Sequence, residues 1–510
     1  MSETIRRNGQ PASDGERADR TRRKSQPAEP DHSNLGSQLL AGVPARIMRP
    51  RLVFLACLAA ILGFGLLMVY SASAVSALSD YGSSTYMLVR QAVFMGGGLV
   101  FAAAICTIPA HFFDNERLLW SAWGVMVLML LAVSVFGSSA GGATRWLSIG
   151  AFQFQPSEFL KPLLIVMAAK LFDDYYEKGS LDIIGFGIRM VIAVGVPLAL
   201  VVAQPDFGTT LIIFCTISAM ALFAGVNNKT VLGIVAALVL LVAVVGVTQP
   251  YRLQRFIVSQ DPLADEYNTT YQAALAVYAF ASGGLFGRGV GNSTMKYNYL
   301  PEAHNDYILA VIGEELGFVG TVIFFAVFFT MIVAAVRIAH RSPSKLWGLM
   351  AGGSAAILLI QFLINALGIL NVLPMTGKPL PFISYGGSSI ISCLMLAGLI
   401  LRVSFESSRK NVYERRRQRF AVYDESTAGE ARPRSARRAR SGFTVLDGFG
   451  VIGPKDGAVG TARPRSTGRS YERVNLNSDP TARLRTDGDG PRVRRAADDR
   501  KPYRRDRYDR

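Results

Sequence analysis

The chain has 510 residues, half of them apolar, with a mean hydropathy of +0.28 and a formal charge of +17. Long apolar blocks carry that hydropathy, which excludes an ordinary soluble domain. The charge does not call for nucleic acid: residues 401–510 hold 28 Lys and Arg against 15 Asp and Glu, thirteen of the seventeen net charges, as expected of a cytoplasmic tail beside an anionic leaflet.

Residues 1–48 are polar and basic without an apolar period, and read as a disordered cytoplasmic tail. They contain no signal-peptide core, and the first apolar block, near Leu52, is too long for one, so it reads as an uncleaved anchor. A membrane domain over 49–405 follows. Its fold class is all-α and polytopic, with about ten spans near 52–72, 87–107, 118–137, 157–174, 184–203, 207–226, 230–248, 307–336, 347–367 and 388–404. Lys161 and Lys170 make the fourth span the least apolar. Cys57, Cys106, Cys215 and Cys393 lie in or beside apolar blocks without metal-ligand spacing, and read as packing residues. Residues 406–510 form a second basic tail, expected to be mostly disordered.

Lys and Arg set the orientation. With the N-terminus inside, inner loops hold Arg117, Lys178, Lys229, Arg337, Arg341 and Lys345. Outer loop 73–86 has no Lys or Arg, 138–156 has only Arg145, and 368–387 has only Lys378. Ten spans return the C-terminus to the inside. A large outer loop, 249–306, joins the seventh and eighth spans and carries Arg252, Arg255, Arg288 and Lys296. A loop that long is expected to function and to be partly ordered.

Four polar segments fall at outer ends of spans. The first is Gly142-Ala-Thr-Arg145-Trp146 with Gln155-Pro-Ser-Glu158-Phe-Leu-Lys161. Pro156 suits a first helical position, and Glu158 and Lys161, spaced i,i+3, can pair. Arg145 and Lys161 are candidate cations for an anionic substrate. The second is Gln204-Pro-Asp206-Phe-Gly208, a short turn where Asp206 can cap the sixth span. The third runs from Tyr297 through His304, Asn305 and Asp306 to Glu314, Glu315 and Gly317. Asn305 or Asp306 can cap the eighth span; alternatively Asp306 is a carboxylate held rigidly above a stripe of small residues, Ala310, Gly313, Gly317 and Gly320. Glu314 and Glu315 should lie near the outer boundary, where they can pair with a base, line a wet cavity or bind a cation. The fourth is Gly377-Lys-Pro-Leu-Pro-Phe-Ile-Ser384-Tyr-Gly386-Gly387, either a plain turn or a loop exposing backbone amides to an anion. Glycines 283, 284, 287, 289 and 291 read as a flexible outer stretch rather than a nucleotide motif, since no βαβ context surrounds them.

Together, in this order, these segments resemble the SEDS family (shape, elongation, division and sporulation) of peptidoglycan polymerases, which includes FtsW and RodA. The resemblance covers about 50–405. It rests on Tyr70-Ser-Ala-Ser73, Arg145-Trp146, Gln155-Pro-Ser-Glu-Phe-Leu-Lys161, Gln204-Pro-Asp-Phe-Gly208, Tyr271-Gln272, Gly283-Gly284, Leu300-Pro-Glu-Ala-His-Asn-Asp306, Gly313-Glu-Glu-Leu-Gly317 and Leu380-Pro-Phe-Ile-Ser-Tyr-Gly-Gly-Ser388. The tails, Pro301-Glu-Ala-His304 and Ile312-Gly-Glu-Glu315 look more like the FtsW branch than the RodA branch. Asn305 and Tyr307 depart from the family's usual Thr and Phe but leave the aspartate in place.

The resemblance implies a glycosyltransferase that polymerises lipid II into β-1,4 glycan outside the cytoplasmic membrane. It also implies a class B penicillin-binding protein as transpeptidase partner, other division proteins, and a septal location. Asp306 matches the family's catalytic aspartate. Arg145 and Lys161 become candidates for the pyrophosphate, with Glu158 orienting Lys161, and Lys296 and Lys378 as further cations; His304, Glu314, Glu315, Ser384, Gly386 and Gly387 would support the site. No organic cofactor is implied, and a divalent cation, Mg2+ or Mn2+, is admitted without identifiable ligands. Two other functions fit a ten-span chain: a lipid II flippase, and a non-catalytic division scaffold.

Overall fold

The computed structural model describes residues 45–430, apart from 141–142, 150–151, 237–257, 266, 269 and 298; beyond Ser408 it describes only the backbone. The expectations for residues 1–44 and 431–510, and most of those for the seventh span, lie outside the described residues.

The chain folds as a helical bundle. Helices α1 (Ala45–Tyr81) and α2 (Tyr86–Thr107) form a hairpin whose turn, 82–85, marks what is here called the site end. A short α3 (Ala110–Asp114) and α4 (Glu116–Phe136) lead back to that end, where strands β1 (Ser138–Ala140), β2 (Ala143–Ile149) and β3 (Phe152–Phe154) form an antiparallel sheet with β2 in the centre. Helix α5 (Pro156–Tyr176), α6 (Ile183–Met190) continued through a π-helical turn (Val191–Gly195) into α7 (Val196–Ala203), and α8 (Phe207–Ala224) follow. The last four are α9 (Tyr271–Gly283), α10 (Ile308–His340), α11 (Lys345–Ile369) and α12 (Gly387–Glu430).

Among the described residues, eight helices are long and apolar enough to cross a membrane, counting Ile183–Ala203 as one. Helix α5, the predicted fourth span, is not among them, because Glu158, Lys161, Lys170, Asp173 and Asp174 interrupt it. Its 21 residues nonetheless reach about 32 Å at 1.5 Å per residue. Most of that length is buried against other helices, so its charges face protein. The lightly covered helices expose large apolar side chains such as Val93, Val100, Val135 and Phe136, as lipid-facing surfaces do. The chain is a multi-pass membrane protein.

Small residues bring the inner helices close. A Cβ on Gly398 of α12 would lie 2.8 Å from Ala102 Cα of α2, and one on Gly98 would meet Leu394 at 2.6 Å. Without a hydrophobic drive between helices in lipid, such close approach is what holds them together.

Two helices are interrupted, and in each the freed backbone groups find new partners, as burial in apolar surroundings requires. Pro197 has no N–H to offer the carbonyl of Ala193 four residues back; that carbonyl accepts from Trp123 Nε1 at 3.0 Å instead. Helix α10 breaks at Gly317, whose φ of 67° and ψ of −169° lie outside the helical region. Segment 284–289 enters the break. The amides of Arg288 and Gly289 donate to the carbonyls of Glu314 and Glu315 at 3.0 and 2.9 Å, and the amides of Phe318 and Val319 donate to Gly284 and Leu285 at 2.9 and 3.1 Å. Gly287, at φ 78°, lies so close that a Cβ would strike the backbone of Glu315 and Leu316. Part of the stretch expected to be flexible is therefore a fastened insert, and the lack of a side chain at Gly283 and Gly287 serves close backbone approach. The small-residue stripe is interrupted: Gly313 packs against Phe280 and Gly283 of α9, and beyond the break the nearest atoms to a Cβ on Gly320 belong to Leu316 of its own helix.

Candidate functional site

Asp306 lies at the site end, just before α10. The N-cap position of that helix belongs to Tyr307, which makes no side-chain cap, while Asn305 Nδ2 donates to Glu302 Oε2 at 2.5 Å. This corrects the expected cap position. The first residues of α10, Ile308 to Glu315, are buried, so they form a rigid base, whereas Asp306 itself is partly exposed. Its carboxylate lies against Gly377, where a Cβ would come within 3.3 Å of Oδ2.

Beside it is a buried ion pair. Lys378 Nζ contacts Asp206 Oδ1 at 2.7 Å and Oδ2 at 3.0 Å, with the two side chains 3 % and 1 % exposed. Asp206 caps α8 as expected, accepting from the Thr209 amide at 3.2 Å, and also accepts from Thr209 Oγ1 at 2.9 Å and Gln155 Nε2 at 3.2 Å. Arg145, projecting from β2, reaches Asp206 Oδ1 at 3.9 Å and donates to the carbonyl of Pro205 at 2.5 Å. Its side chain is 26 % exposed. Burial alone would raise the Asp206 carboxyl; Lys378 and then Arg145 overcome it and hold the group at about 2. The stem of Lys378 lies over Gly208, where a Cβ would sit 2.7 Å from Cγ.

Two polar side chains one turn apart on α11 join these parts. Asn365 Nδ2 donates to the carbonyls of Asp306 at 2.9 Å and Lys378 at 2.8 Å. Gln361 donates to the carbonyl of Pro379 at 2.9 Å and accepts from Lys161 Nζ at 2.8 Å. Lys161 in turn pairs with Glu158 at 2.7 Å, both nearly inaccessible. The expected i,i+3 pair therefore forms inside the bundle. Removing one member strands a charge there. Glu158→Ala should cost about 3 kcal/mol, the low end of the range because Lys161 keeps Gln361. The matched change Glu158→Gln with Lys161→Met should cost much less. Thermal melting in nanodiscs distinguishes them, and equal losses would show that the charges do not act as a pair.

The remaining predicted residues fall into two groups. His304, Ser384, Gly386 and Gly387 brace the Asp306 segment. The Tyr385 amide donates to the His304 carbonyl at 3.0 Å, Ser384 Oγ accepts from the Leu380 amide at 2.8 Å, and the Gly386 amide donates to Gln91 Oε1 at 3.2 Å. A Cβ on Gly387 would meet the Phe94 ring at 2.8 Å. Three amides of the loop, those of Leu380, Tyr385 and Gly386, thus go to protein acceptors. Burial pushes the His304 imidazole below its usual value, with Glu302 and Asp80 pulling the other way.

Glu314, Glu315 and Lys296 form a second cluster around the break in α10. Glu314 accepts from the Thr294 amide at 2.9 Å, Thr294 Oγ1 at 2.6 Å and Ser293 Oγ, and meets Arg288 at 3.4 Å. Glu315 accepts from Ser71 Oγ at 2.6 Å and lies 4.0 Å from Lys296 Nζ. Of the options open for these glutamates, pairing with bases and hydroxyls is the one the geometry realises. Lys296 is engaged here rather than at the Asp206 pair.

Among the described residues, no three His, Cys, Asp or Glu side chains converge as a metal cage would require, and both oxygens of Asp206 already hold hydrogen-bond donors. The donor set does not fit a protein-caged cation. From the sequence Asp206 reads only as a cap, and Gln361 and Asn365 do not stand out as site residues. Their signal was present: two amides at i,i+4 inside an otherwise apolar helix.

Comparison with known proteins gives this geometry a context. The model of the FtsW/RodA/SpoVE family of cell cycle proteins matches residues 51–409. A protein of Trichlorobacter lovleyi named "Probable peptidoglycan glycosyltransferase FtsW" is 34 % identical over 368 residues, covering 71 % of this chain and 94 % of its own. The Bacillus subtilis protein of the same name is 35 % identical over 356 residues, covering 67 % and 87 %. Among solved structures, a chain from a study of "polymerization and crosslinking by a peptidoglycan synthase complex" superposes with a TM-score of 0.57 at 26 % identity, covering 69 % of this chain and 97 % of the other. Family match, identity and fold agree: the chain belongs to the FtsW/RodA/SpoVE family of cell cycle proteins.

Proposed function

We propose that this chain is a peptidoglycan glycosyltransferase that polymerises lipid II on the outer face of the cytoplasmic membrane, with Asp306 as general base. One observation carries the reading: a partly exposed carboxylate just before a buried helix start, beside a buried lysine–aspartate pair and a partly exposed arginine, at one end of a membrane bundle. The names of its relatives supply the reaction class.

The 4-hydroxyl of a lipid-linked N-acetylglucosamine attacks the anomeric carbon of the growing chain. A new C–O bond forms, the bond to pyrophosphate breaks, and the hydroxyl proton passes to the Asp306 carboxylate. The α-linked donor becomes a β-1,4 linkage, so the transfer inverts. The departing polyprenyl pyrophosphate gathers negative charge, which a fixed cation stabilises. Arg145 is the candidate with exposure and a forked donor geometry. Lys378 and Lys161 hold carboxylates in place, and act on substrate through Asp206 and Glu158 rather than directly. A divalent cation would arrive with the pyrophosphate oxygens, as Mg2+ commonly does, and no step above depends on it.

The inward tails, the septal location and a class B penicillin-binding protein as partner belong to the same proposal. The solved structure of a relative from a peptidoglycan synthase complex that coordinates polymerization and crosslinking supports such a partner. The break in α10 favours a flippase at first sight, since discontinuous helices often line transport sites. Here segment 284–289 occupies four backbone groups at the break, the carbonyls of Glu314 and Glu315 and the amides of Phe318 and Val319, so these are not offered to cargo. Fluorescent lipid II in proteoliposomes holding the chain and its transpeptidase tests the proposal. A ladder of glycan polymer is expected. Movement between leaflets without polymer would support the flippase, and neither polymer nor movement would leave a scaffold.

A further inference from the structure

We propose that Asn365 is a positioning residue: it sets the Asp306 carboxylate and the Lys378 loop in register for transfer. The inference rests on Asp306 being the base.

Asn365 is fully buried, one turn before α11 ends at Ile369. An amide nitrogen carries two protons. Here they go to the main-chain carbonyls of Asp306 and Lys378, at 2.9 and 2.8 Å. Those two residues are 72 positions apart and belong to different outer segments, yet their side chains define the site. Each carbonyl is attached to the Cα that bears the functional side chain, so a clamp on both carbonyls fixes the separation of the two groups.

Packing alone does not explain an amide at this position. Leucine has the same number and branching of side-chain heavy atoms and carries no desolvation cost in an apolar helix. The Oδ1 of Asn365 is buried without a hydrogen-bond partner among the described residues, so it is the donor side of the amide that is used. Gln361, one turn earlier, repeats the arrangement on Pro379 and Lys161. The same face of α11 thus grips loop 378–379 at two successive peptides. Arg145, the cation assigned to the pyrophosphate, comes from β2 and donates to the Pro205 carbonyl at 2.5 Å, so the clamp reaches it only indirectly, through the Lys378–Asp206 pair. Loosening the clamp should therefore disturb the chemical step more than substrate binding.

The test compares the full chain with its transpeptidase in proteoliposomes, using fluorescent lipid II, as wild type, Asn365→Leu, Asn365→Asp and Asp306→Asn. Asn365→Leu should lose about 10²-fold in kcat with KM within about threefold. Asn365→Asp offers oxygens to two carbonyls when ionised and one donor when protonated. Its rate relative to wild type should therefore rise as pH falls from about 7.5 to about 5.5. That dependence keeps the test decisive should the leucine variant fail to fold, because a general loss of structure would not be relieved by acid. A wild-type kcat in Asn365→Leu beside an inactive Asp306→Asn would overturn the positioning role and leave the base standing. A raised KM at unchanged kcat, or an Asn365→Asp ratio flat in pH, would overturn it equally. A fully active Asp306→Asn would instead overturn the base.

Discussion

Asp306→Asn is expected to fold and to lose glycan polymerisation by about 10²–10⁴-fold, the usual contribution of a positioned general base. The fold should tolerate the change for three reasons. Asparagine is nearly isosteric. The N-cap position of α10 belongs to Tyr307, one residue on. The backbone of residue 306 is held from the carbonyl side by Asn365 at 2.9 Å. What the amide cannot do is accept the proton of an attacking hydroxyl. Asp306→Glu separates proton acceptance from placement: it keeps the carboxylate but moves it by about one methylene, so a smaller loss is expected, of order 10²-fold or less. Initial rates from fluorescent lipid II, with melting temperature and transpeptidase co-purification as controls, measure both. A wild-type rate for Asp306→Asn would remove the base from the mechanism, and an equal loss in both variants with lowered melting temperature would make Asp306 structural.

Much of the bundle is legible in the sequence because membrane spans are long and apolar, a pattern that no distant contact can erase. The site is legible only in part. Arg145, Glu158, Lys161, Asp306 and Lys378 stand out as charges at the ends of apolar blocks. Which of them touch is another matter. Lys161 reads as a cation offered to substrate, but its partner Glu158 and Gln361 enclose it. Lys296 reads the same way and is found beside Glu315. Glycines 283–291 look flexible because composition records the absence of side chains, and only the fold reveals a broken helix that needs backbone without side chains. The three-stranded sheet at 138–154 reads only as an outer loop, since β1 and β3 have three residues each and β2 does not alternate: Thr144-Arg145 and Trp146-Leu147 break its period. Asn365 was hidden by its surroundings: an apolar helix invites one to read every residue as lipid or core.

Lys378→Met should destabilise the fold by about 3–5 kcal/mol near neutral pH, and the deficit should shrink in acid. The substitution leaves Asp206 buried with Arg145 at 3.9 Å as its remaining counter-charge. In the wild type the folded carboxyl titrates at about 2, below its ordinary 3.8. A depressed carboxyl contributes stability that is complete above the unfolded value and is lost as pH falls through the folded one. Between those two values the wild type therefore weakens. Without Lys378, burial becomes the dominant influence and moves the carboxyl upward, so protonation relieves the variant at a pH where the wild type is still charged. The gap in melting temperature between the two should thus narrow as pH is lowered from about 7 toward about 4. A gap that stays constant over that range would show that Lys378 stabilises through its stem over Gly208 and not through its charge. The double change Lys378→Met with Asp206→Asn removes both charges and should recover most of the stability, since breaking a buried pair costs more than replacing it. It should not recover the rate to the same extent, because Arg145 then loses the carboxylate that faces it across the site. Stability restored without activity is the outcome that separates the pair's work in holding α8 to the Lys378 loop from its work in aiming a cation at the leaving group.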